Sequence, residues 1–293
     1  MSDSAAVLVD AHHHLWDLTV RAQDWLDDPA YVAIRRTFTV DDLRASATRA
    51  IAGRKLTTSV LVQCLTSVEE TEELLALAAT DPLVGAVVGW ADLTDPAVGE
   101  VVDRLRQGPG GARLRSLRHI VQAETDPQWL QRPAVEHGLA ALASRDLAYD
   151  VLIRAGQLPQ AVRLAERLPD LRIVLDHAVK PPIAAGDLGA WRADMTALAT
   201  HPQVCCKLSG LVTEADHARW TTADIRPVWD LLLEVFGPRR LMFGSDWPVC
   251  VVAGGWDRWA ETVDELVREL SPDDQHAVLA GTATTFYRLE ELT

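Results

Sequence analysis

The chain has 293 residues, of which 48% are hydrophobic and 24% are charged, a composition typical of a globular protein with a large core. Its formal net charge of −14 argues against nucleic acid or an anionic membrane as a partner. No apolar stretch is long enough for a membrane helix, and the acidic Met1–Ala6 does not resemble a secretory signal. We therefore expect a cytoplasmic protein with reduced, mostly buried cysteines.

Short runs rich in Val, Ile and Leu recur along the chain and predict eight strands. They are Val7–His14, Thr58–Cys64, Val84–Trp90, Leu114–Val121, Ala148–Ile153, Arg172–Asp176, Val204–Leu208 and Leu241–Gly244. Their weak polar alternation is typical of parallel strands buried on both faces. Between and after them, helical spacing of apolar residues predicts helices at Val68–Ala79, Ala97–Arg106, Arg132–Ser144, Leu158–Arg167, Leu188–Ala199, Ile225–Phe236 and Asp257–Leu270.

This alternation predicts the α/β class and, with eight strands, a (β/α)8 barrel of the TIM type over a single domain, 1–293. An open doubly wound sheet is the competing fold, but it usually carries a glycine-rich turn after its first strand. Here the first strand ends in histidines instead. The longer segment 17–36, with Trp16 before it, is predicted to form a lid or a wall of a pocket.

The first strand ends in Asp10-Ala11-His12-His13-His14. Residues two apart on a strand share a face, so His12 and His14 are predicted to point together and His13 away. Such a pair inside a barrel can bind a metal ion or an anionic oxygen. Asp246 follows the eighth strand, which lies beside the first in a closed barrel, so it is predicted to meet both histidines as a metal ligand or general base.

Polar residues also end other predicted strands. His177 follows the sixth strand and is a candidate acid, base or oxyanion partner. Adjacent Arg118 and His119 end the fourth strand, and their opposite orientations allow one of them, left undecided, to enter the pocket. The remaining candidates for substrate binding are Arg154, Lys207, Trp16 and Trp247; ion pairing or core packing is the alternative for each of them.

The ordered set Asp10–Trp16, Leu117–His119, Asp176–His177, Lys207–Leu211 and Gly244–Pro248 resembles the amidohydrolase superfamily, family 2. It is most similar to the branch that hydrolyses sugar lactones such as L-fuconolactone and L-rhamnonolactone. The resemblance implies a distorted barrel, a function in carbohydrate metabolism, metal ligands at His12, His14 and Asp246, and catalytic roles for Asp246 and His177. The chain differs from family members that have a full metal centre, because its fifth strand is followed by Arg154 and contains no histidine.

A two-metal centre is therefore not expected. One divalent ion, with Zn²⁺ the expected choice, and metal-free catalysis both stay open. The predicted reaction is hydrolysis of a sugar lactone or related cyclic ester by water that Asp246 activates. The alternatives are a metal-dependent decarboxylase of an aromatic or unsaturated acid, an amide hydrolase, and a barrel that binds a small molecule without catalysis. The oligomeric state is not predicted.

Overall fold

A computed structural model describes residues 7–289, so the expectations for Met1–Ala6 and for the extreme C-terminus lie outside the described residues. Eight strands follow one another in space in the order β1 to β8, and each pairs in parallel with the next. Their bounds are β1 Val7–His13, β2 Lys55–Val62, β3 Val84–Gly89, β4 Leu114–His119, β5 Ala148–Val151, β6 Ile173–Leu175, β7 Val204–Leu208 and β8 Leu241–Phe243.

The seam between β8 and β1 is closed just beyond the end of β8. The His14 amide donates to the Trp247 carbonyl at 2.7 Å, and the Asp246 amide donates to the His12 carbonyl at 2.8 Å. The predicted (β/α)8 barrel is confirmed, and its closure brings the end of β1 and the loop after β8 together at the C-terminal mouth.

Helices connect the strands and cover the outside of the barrel. Their bounds are α1 Val40–Ser46, α2 Val68–Thr80, α3 Val98–Gln107, α4 Pro133–Ala143, α5 Leu158–Arg167, α6 Gly189–Ala199, α7 Thr222–Phe236, α8 Gly255–Val267, α9 Pro272–His276 and α10 Thr282–Tyr287. The segment 17–36, whose structure the sequence did not define, forms two 3-10 turns, Asp24–Asp27 and Pro29–Ile34. None of the described helices is long and apolar enough to cross a membrane.

The barrel interior is filled by small apolar side chains from the strands, including Val9, Ala11, Val60 and Val88. At the N-terminal end of the barrel this cluster is completed by α10, which contributes Phe286 and Tyr287. A second cluster packs the outer strand faces against the helices. Side chains thus fill the barrel toward its N-terminal end, and open space for a ligand remains at the C-terminal mouth.

The four cysteines are free, as the sequence predicted. Cys64, Cys206 and Cys250 are buried and Cys205 is half-buried. Burial raises the pKa of Cys205 to about 12, which keeps that thiol protonated and unreactive near neutral pH.

Candidate active site

A break in the register of β1 determines which face carries its histidines. Val9 and Ala11 both belong to the interior cluster, and strict alternation from them would turn His13 inward. The pairing of β1 with β2 shifts between Asp10 and His13, as strands often do beside active sites. His12 consequently lies among the groups of the barrel interior.

His12 and His14 point the same way, as predicted, with their Nε2 atoms 3.2 Å apart. His14 Nδ1 lies 2.8 Å from the Val62 carbonyl oxygen; a carbonyl accepts but cannot donate, so Nδ1 carries the proton and the lone pair is on Nε2. His13 points away and lies 2.9 Å from Ser59 Oγ.

Asp246 meets the histidines across the closed seam. Its Oδ1 lies 3.8 Å from His12 Nε2, 3.6 Å from His14 Nε2 and 3.9 Å from His177 Nε2. Asp246 has a φ of 55°, a conformation that is costly for a residue other than glycine and common at functional sites. One carboxylate therefore faces three imidazoles, although more than 60 residues separate it from the nearest of them in the chain.

The segment after β6 presents His177 in an uncommon backbone conformation. Positive φ values continue from His177 through Lys180, between 47° and 59°. His177 Nδ1 lies 2.9 Å from Ser209 Oγ, which orients the ring. A Cβ on Gly210 would lie 2.5 Å from His177 Nδ1 and 3.1 Å from Asp246 Oδ2, so glycine there leaves room for both side chains.

Burial and neighbouring charges act in opposite directions on the protonation of the site. Burial alone would raise the pKa of Asp246, but His177, His14 and Lys180 together hold it below its usual value. Burial lowers the pKa of His177 to about 4, against the opposing effect of Asp246. At neutral pH the site therefore combines an ionised carboxylate with neutral His177.

A network of buried charges lies beneath the histidines. Lys207 Nζ lies 2.5 Å from Asp150 Oδ2, 3.0 Å from Asp176 Oδ1 and 3.1 Å from His12 Nδ1. Arg118 Nη1 donates to Asp176 Oδ2 at 3.0 Å. Tyr287, at the end of α10, donates to Asp150 Oδ2 at 2.8 Å. The two cations balance the two carboxylates, so this network can support the histidines from below.

A cavity of about 480 Å³ opens above this site, within the range of small-molecule sites, roughly 300–1,000 Å³. His14, Arg118, His177 and Asp246 contribute to its floor. Its walls are formed by residues from several loops, including Trp25, Tyr31, Ile120, Lys180, Glu214 and His217. The predicted wall function of the segment 17–36 is confirmed through Trp25 and Tyr31.

The structure resolves the choice between Arg118 and His119. Arg118 faces the cavity, whereas His119 stacks on Trp129 with ring centroids 4.0 Å apart. His119 Nε2 also lies 2.7 Å from Glu124 Oε1. The expectation of a substrate contact for His119 is therefore corrected, because Trp129 and Glu124 hold its ring and it is not part of the cavity lining.

Four other predicted substrate ligands also lie outside the cavity lining. Lys207 is fully buried in the network beneath it, and Trp247 is 1% exposed. Trp16 is buried and donates to the Arg36 carbonyl at 2.6 Å, while Arg154 is exposed. The two tryptophans and Lys207 are therefore buried outside the cavity, and Arg154 is not part of its lining.

Asp10 is a supporting residue to which the sequence analysis assigned no function. It accepts hydrogen bonds from the Ser245 amide at 2.8 Å and from Ser245 Oγ at 2.6 Å. It also accepts from the His12 amide at 3.1 Å, so it ties β1 to the loop that carries Asp246. Its position two residues before His12, in the same strand, was the sequence feature that could have indicated this supporting contact.

The donor set fits a single metal ion. His12, His177 and Asp246 offer ligand atoms within 4.8 Å of one another, and His14 Nε2 lies 3.2 Å from His12 Nε2. Zinc bound to two imidazoles at about 2.0–2.1 Å separates tetrahedral ligands by about 3.3 Å. The spacing of the two Nε2 atoms is close to that value, and His14 already has the tautomer that a metal requires.

Comparisons with known proteins identify relatives that match this chain over almost its whole length. An L-fucono-1,5-lactonase of Burkholderia ambifaria is 38% identical over 288 residues, 96% of this chain and 96% of the relative. A crystal structure of an amidohydrolase from Burkholderia multivorans with bound zinc is 36% identical, with a TM-score of 0.88 over 97% of this chain and 99% of that one.

A more distant structure resembles the chain in fold alone. A 5-carboxyvanillate decarboxylase from Novosphingobium aromaticivorans, complexed with manganese, is 12% identical, with a TM-score of 0.65 over 98% of this chain and 97% of that one. The sequence profile of the amidohydrolase family matches residues 9–289, almost the entire described chain. The chain therefore belongs to the amidohydrolase family.

Proposed function

We propose that this protein hydrolyses a sugar lactone, most closely an aldono-1,5-lactone of the L-fuconate type. The observation that carries the proposal is an ionised, buried carboxylate, Asp246, facing three imidazoles at the floor of a ligand-sized cavity. The similarity to an L-fucono-1,5-lactonase over almost the whole chain supports the substrate class.

Asp246 acts as the general base in this proposal. It takes a proton from a water molecule, whose oxygen attacks the lactone carbonyl carbon. The bond from this carbon to the ring oxygen then breaks, and Asp246 returns the proton to that oxygen, which gives a hydroxy acid. A pKa held below the usual value keeps Asp246 unprotonated at neutral pH and therefore able to accept the first proton.

In this proposal, Arg118 and His177 face the oxygen on which negative charge develops. The guanidinium of Arg118 is fixed by Asp176 at 3.0 Å and by the Gln63 carbonyl at 2.5 Å. A cation that is already oriented stabilises an oxyanion without reorganising during the reaction. His177, 3.9 Å from Asp246, orients the carboxylate and the water.

The cavity walls provide the means to recognise hydroxyl groups. Lys180 Nζ donates to Glu214 Oε1 at 3.1 Å, and both residues are half-buried in the wall. Tyr31 and His217 add polar groups, while Trp25 and Ile120 add apolar surface. Paired charges beside an aromatic face suit a polyhydroxylated ring.

A zinc ion would be held by His12, His14 and Asp246, with His177 also within reach of the same position. When bound, it supplies Lewis-acid polarisation and additional positive charge in the site. The zinc in the Burkholderia multivorans structure supports this assignment. We also propose that the protein is cytoplasmic. Its binding partner in this proposal is a small carbohydrate substrate alone.

The proposal is tested with purified protein and a panel of substrates in a pH-indicator assay. The panel contains L-fucono-1,5-lactone, other aldonolactones, cyclic amides and an aromatic carboxylic acid. We expect acid release from the lactones. Turnover of the amides alone, loss of carbon dioxide from the aromatic acid, or binding without turnover would favour the respective alternative and refute the lactonase.

Asp246→Asn separates the mechanism from the fold. We expect this variant to lose turnover while its melting temperature is unchanged. The matched control is Asp187→Asn, at an exposed position, which should keep full activity. Metal analysis of the purified protein measures the zinc content. An Asp246→Asn variant with near-normal activity would remove Asp246 from the mechanism.

A further inference from the structure

A second cavity lies at the opposite, N-terminal end of the barrel. Its volume is about 790 Å³, larger than that of the catalytic cavity. Several of its polar residues lie just before a strand: Arg54, Arg172 and Gln203 immediately precede β2, β6 and β7, and Arg239 lies two residues before β8. The starts of parallel strands converge at one end of a barrel, which explains how residues so distant in sequence share one cavity.

The charge of this cavity is opposite to that of the whole chain. Three arginines line it, together with His276 at the end of α9, and Asp273 is the acidic residue in the lining. Asp273 is exposed, in the first turn of α9. A local excess of cations in a protein with net charge −14 favours an anionic ligand.

Arg54 is the residue that carries the inference. It is 6% exposed, and its Nε is buried without a hydrogen-bond partner. Its Nη1 donates to the Ala52 carbonyl at 3.3 Å. Within the described part of the chain, no carboxylate forms an ion pair with this guanidinium.

A buried charge without a partner is costly, and proteins almost always pair it or leave it a ligand. Burial also lowers the pKa of Arg54 from its ordinary value, as desolvation of an uncompensated cation does. Arg172 differs, because it donates to the Asp146 carbonyl at 2.8 Å. Arg239 is exposed at the rim of the cavity.

We propose that this lower cavity binds a phosphate group, with Arg54 as its buried cation and Arg239 as a second contact. The planar fork of an arginine side chain matches phosphate oxygens. The π-helical turn Ala277–Gly281 borders the cavity, and such turns often occur at functional sites. The cavity has room for a phosphorylated small molecule as well as for the inorganic ion.

Thermal unfolding of the full chain tests this site without using activity. Inorganic phosphate and a phosphate monoester, glucose 6-phosphate, are each compared with chloride at equal ionic strength and pH. We expect the melting temperature to rise by about 3 °C at ten times the dissociation constant. A larger effect of the monoester at equal concentration identifies a metabolite as the ligand, and an equal or smaller effect identifies the inorganic ion.

Arg54→Gln is expected to abolish the difference between phosphate and chloride, and Arg239→Gln to reduce it. Arg49→Gln, which removes an exposed arginine that pairs with Glu261 at 3.2 Å, is the matched control and keeps the full shift. Lys180→Gln also keeps it, because the catalytic cavity is not the site.

If Arg54 has only a structural function, Arg54→Gln lowers the melting temperature by the same amount in phosphate and in chloride. The difference between the two salts is then kept, and that result overturns the proposal. The absence of any shift in the wild type, or the same shift in Arg54→Gln, does so too. If Arg54→Gln does not fold, Arg54→Lys and Arg239→Gln replace it, since both keep a hydrophilic side chain but weaken the arginine contacts.

Discussion

Gly210 is the position where one methyl group should separate catalysis from stability. It has a φ of +59°, and an added Cβ would lie 2.5 Å from His177 Nδ1 and 2.7 Å from His177 Cγ. Ordinary contact begins near 3.4 Å, so the imidazole must move by about 1 Å in Gly210→Ala. A displacement of that size can reduce a rate about 100-fold, equivalent to about 2.7 kcal/mol of transition-state stabilisation.

The matched control is Gly186→Ala. Gly186 also has a positive φ, +72°, but nothing lies within 4 Å of its added Cβ. Left-handed strain should cost both variants about 1–2 kcal/mol of stability, and the crowding of His177 should cost Gly210→Ala about 1–3 kcal/mol more; both losses are measured as a fall in melting temperature. The assay is kcat/KM for the lactone, and Gly210→Ala alone should lose activity. If Gly210→Ala stays within threefold of Gly186→Ala, the position of His177 does not matter for the reaction.

Three further outcomes are expected. Lys207→Met leaves Asp150 buried without a cation, while Asp176 keeps Arg118; it should reduce the free energy of unfolding by about 3–5 kcal/mol, measured with denaturant. Burial lowers the pKa of His13 to about 3, against about 6.5 in an unfolded chain. Stability is therefore lost as the pH falls from 6.5 toward 3, and His13→Asn should remove about 1.4 kcal/mol per pH unit from that slope. Arg154→Gln should change kcat/KM by less than about twofold, because Arg154 is exposed and outside the cavity lining.

For each of these predictions, one result would contradict the reasoning. A Lys207→Met variant as stable as the wild type would mean that the Asp150 carboxylate is protonated or hydrated. An unchanged pH slope in His13→Asn would mean that His13 does not titrate on unfolding in this range. A tenfold loss of kcat/KM in Arg154→Gln would return that residue to the substrate site.

Much of the fold could be predicted because strands and helices differ in the period of their apolar residues. The eight strands and their closure follow from this alternation together with the chemistry at the strand ends. Helix α1 was missed because its seven residues, Val40–Ser46, are too few to establish a period. The 3-10 turns of the segment 17–36 have no periodic signal at all, although Trp25 and Tyr31 line the cavity.

The sequence predicted that distant residues meet in one site, but it did not predict the side-chain orientations and the buried ion pairs of that site. The inward orientation of His12 depends on the register break in β1, which no spacing rule reveals. Lys207 and Asp150 are charged residues within apolar strands, a sign of a buried network. The sequence left substrate binding and ion pairing both open for Lys207, and the structure pairs it with Asp150.

The seam that joins the two ends of the barrel has a consequence for biosynthesis. Asp10 and Ser245, which tie β1 to the loop that carries Asp246, are 235 residues apart. A ribosome must therefore release most of the polypeptide before the two sides of the candidate site can meet, and we expect a chain that ends before Asp246 to have no activity. Two separately produced fragments would regain turnover only by joining at this seam, so their activity would report directly on barrel closure.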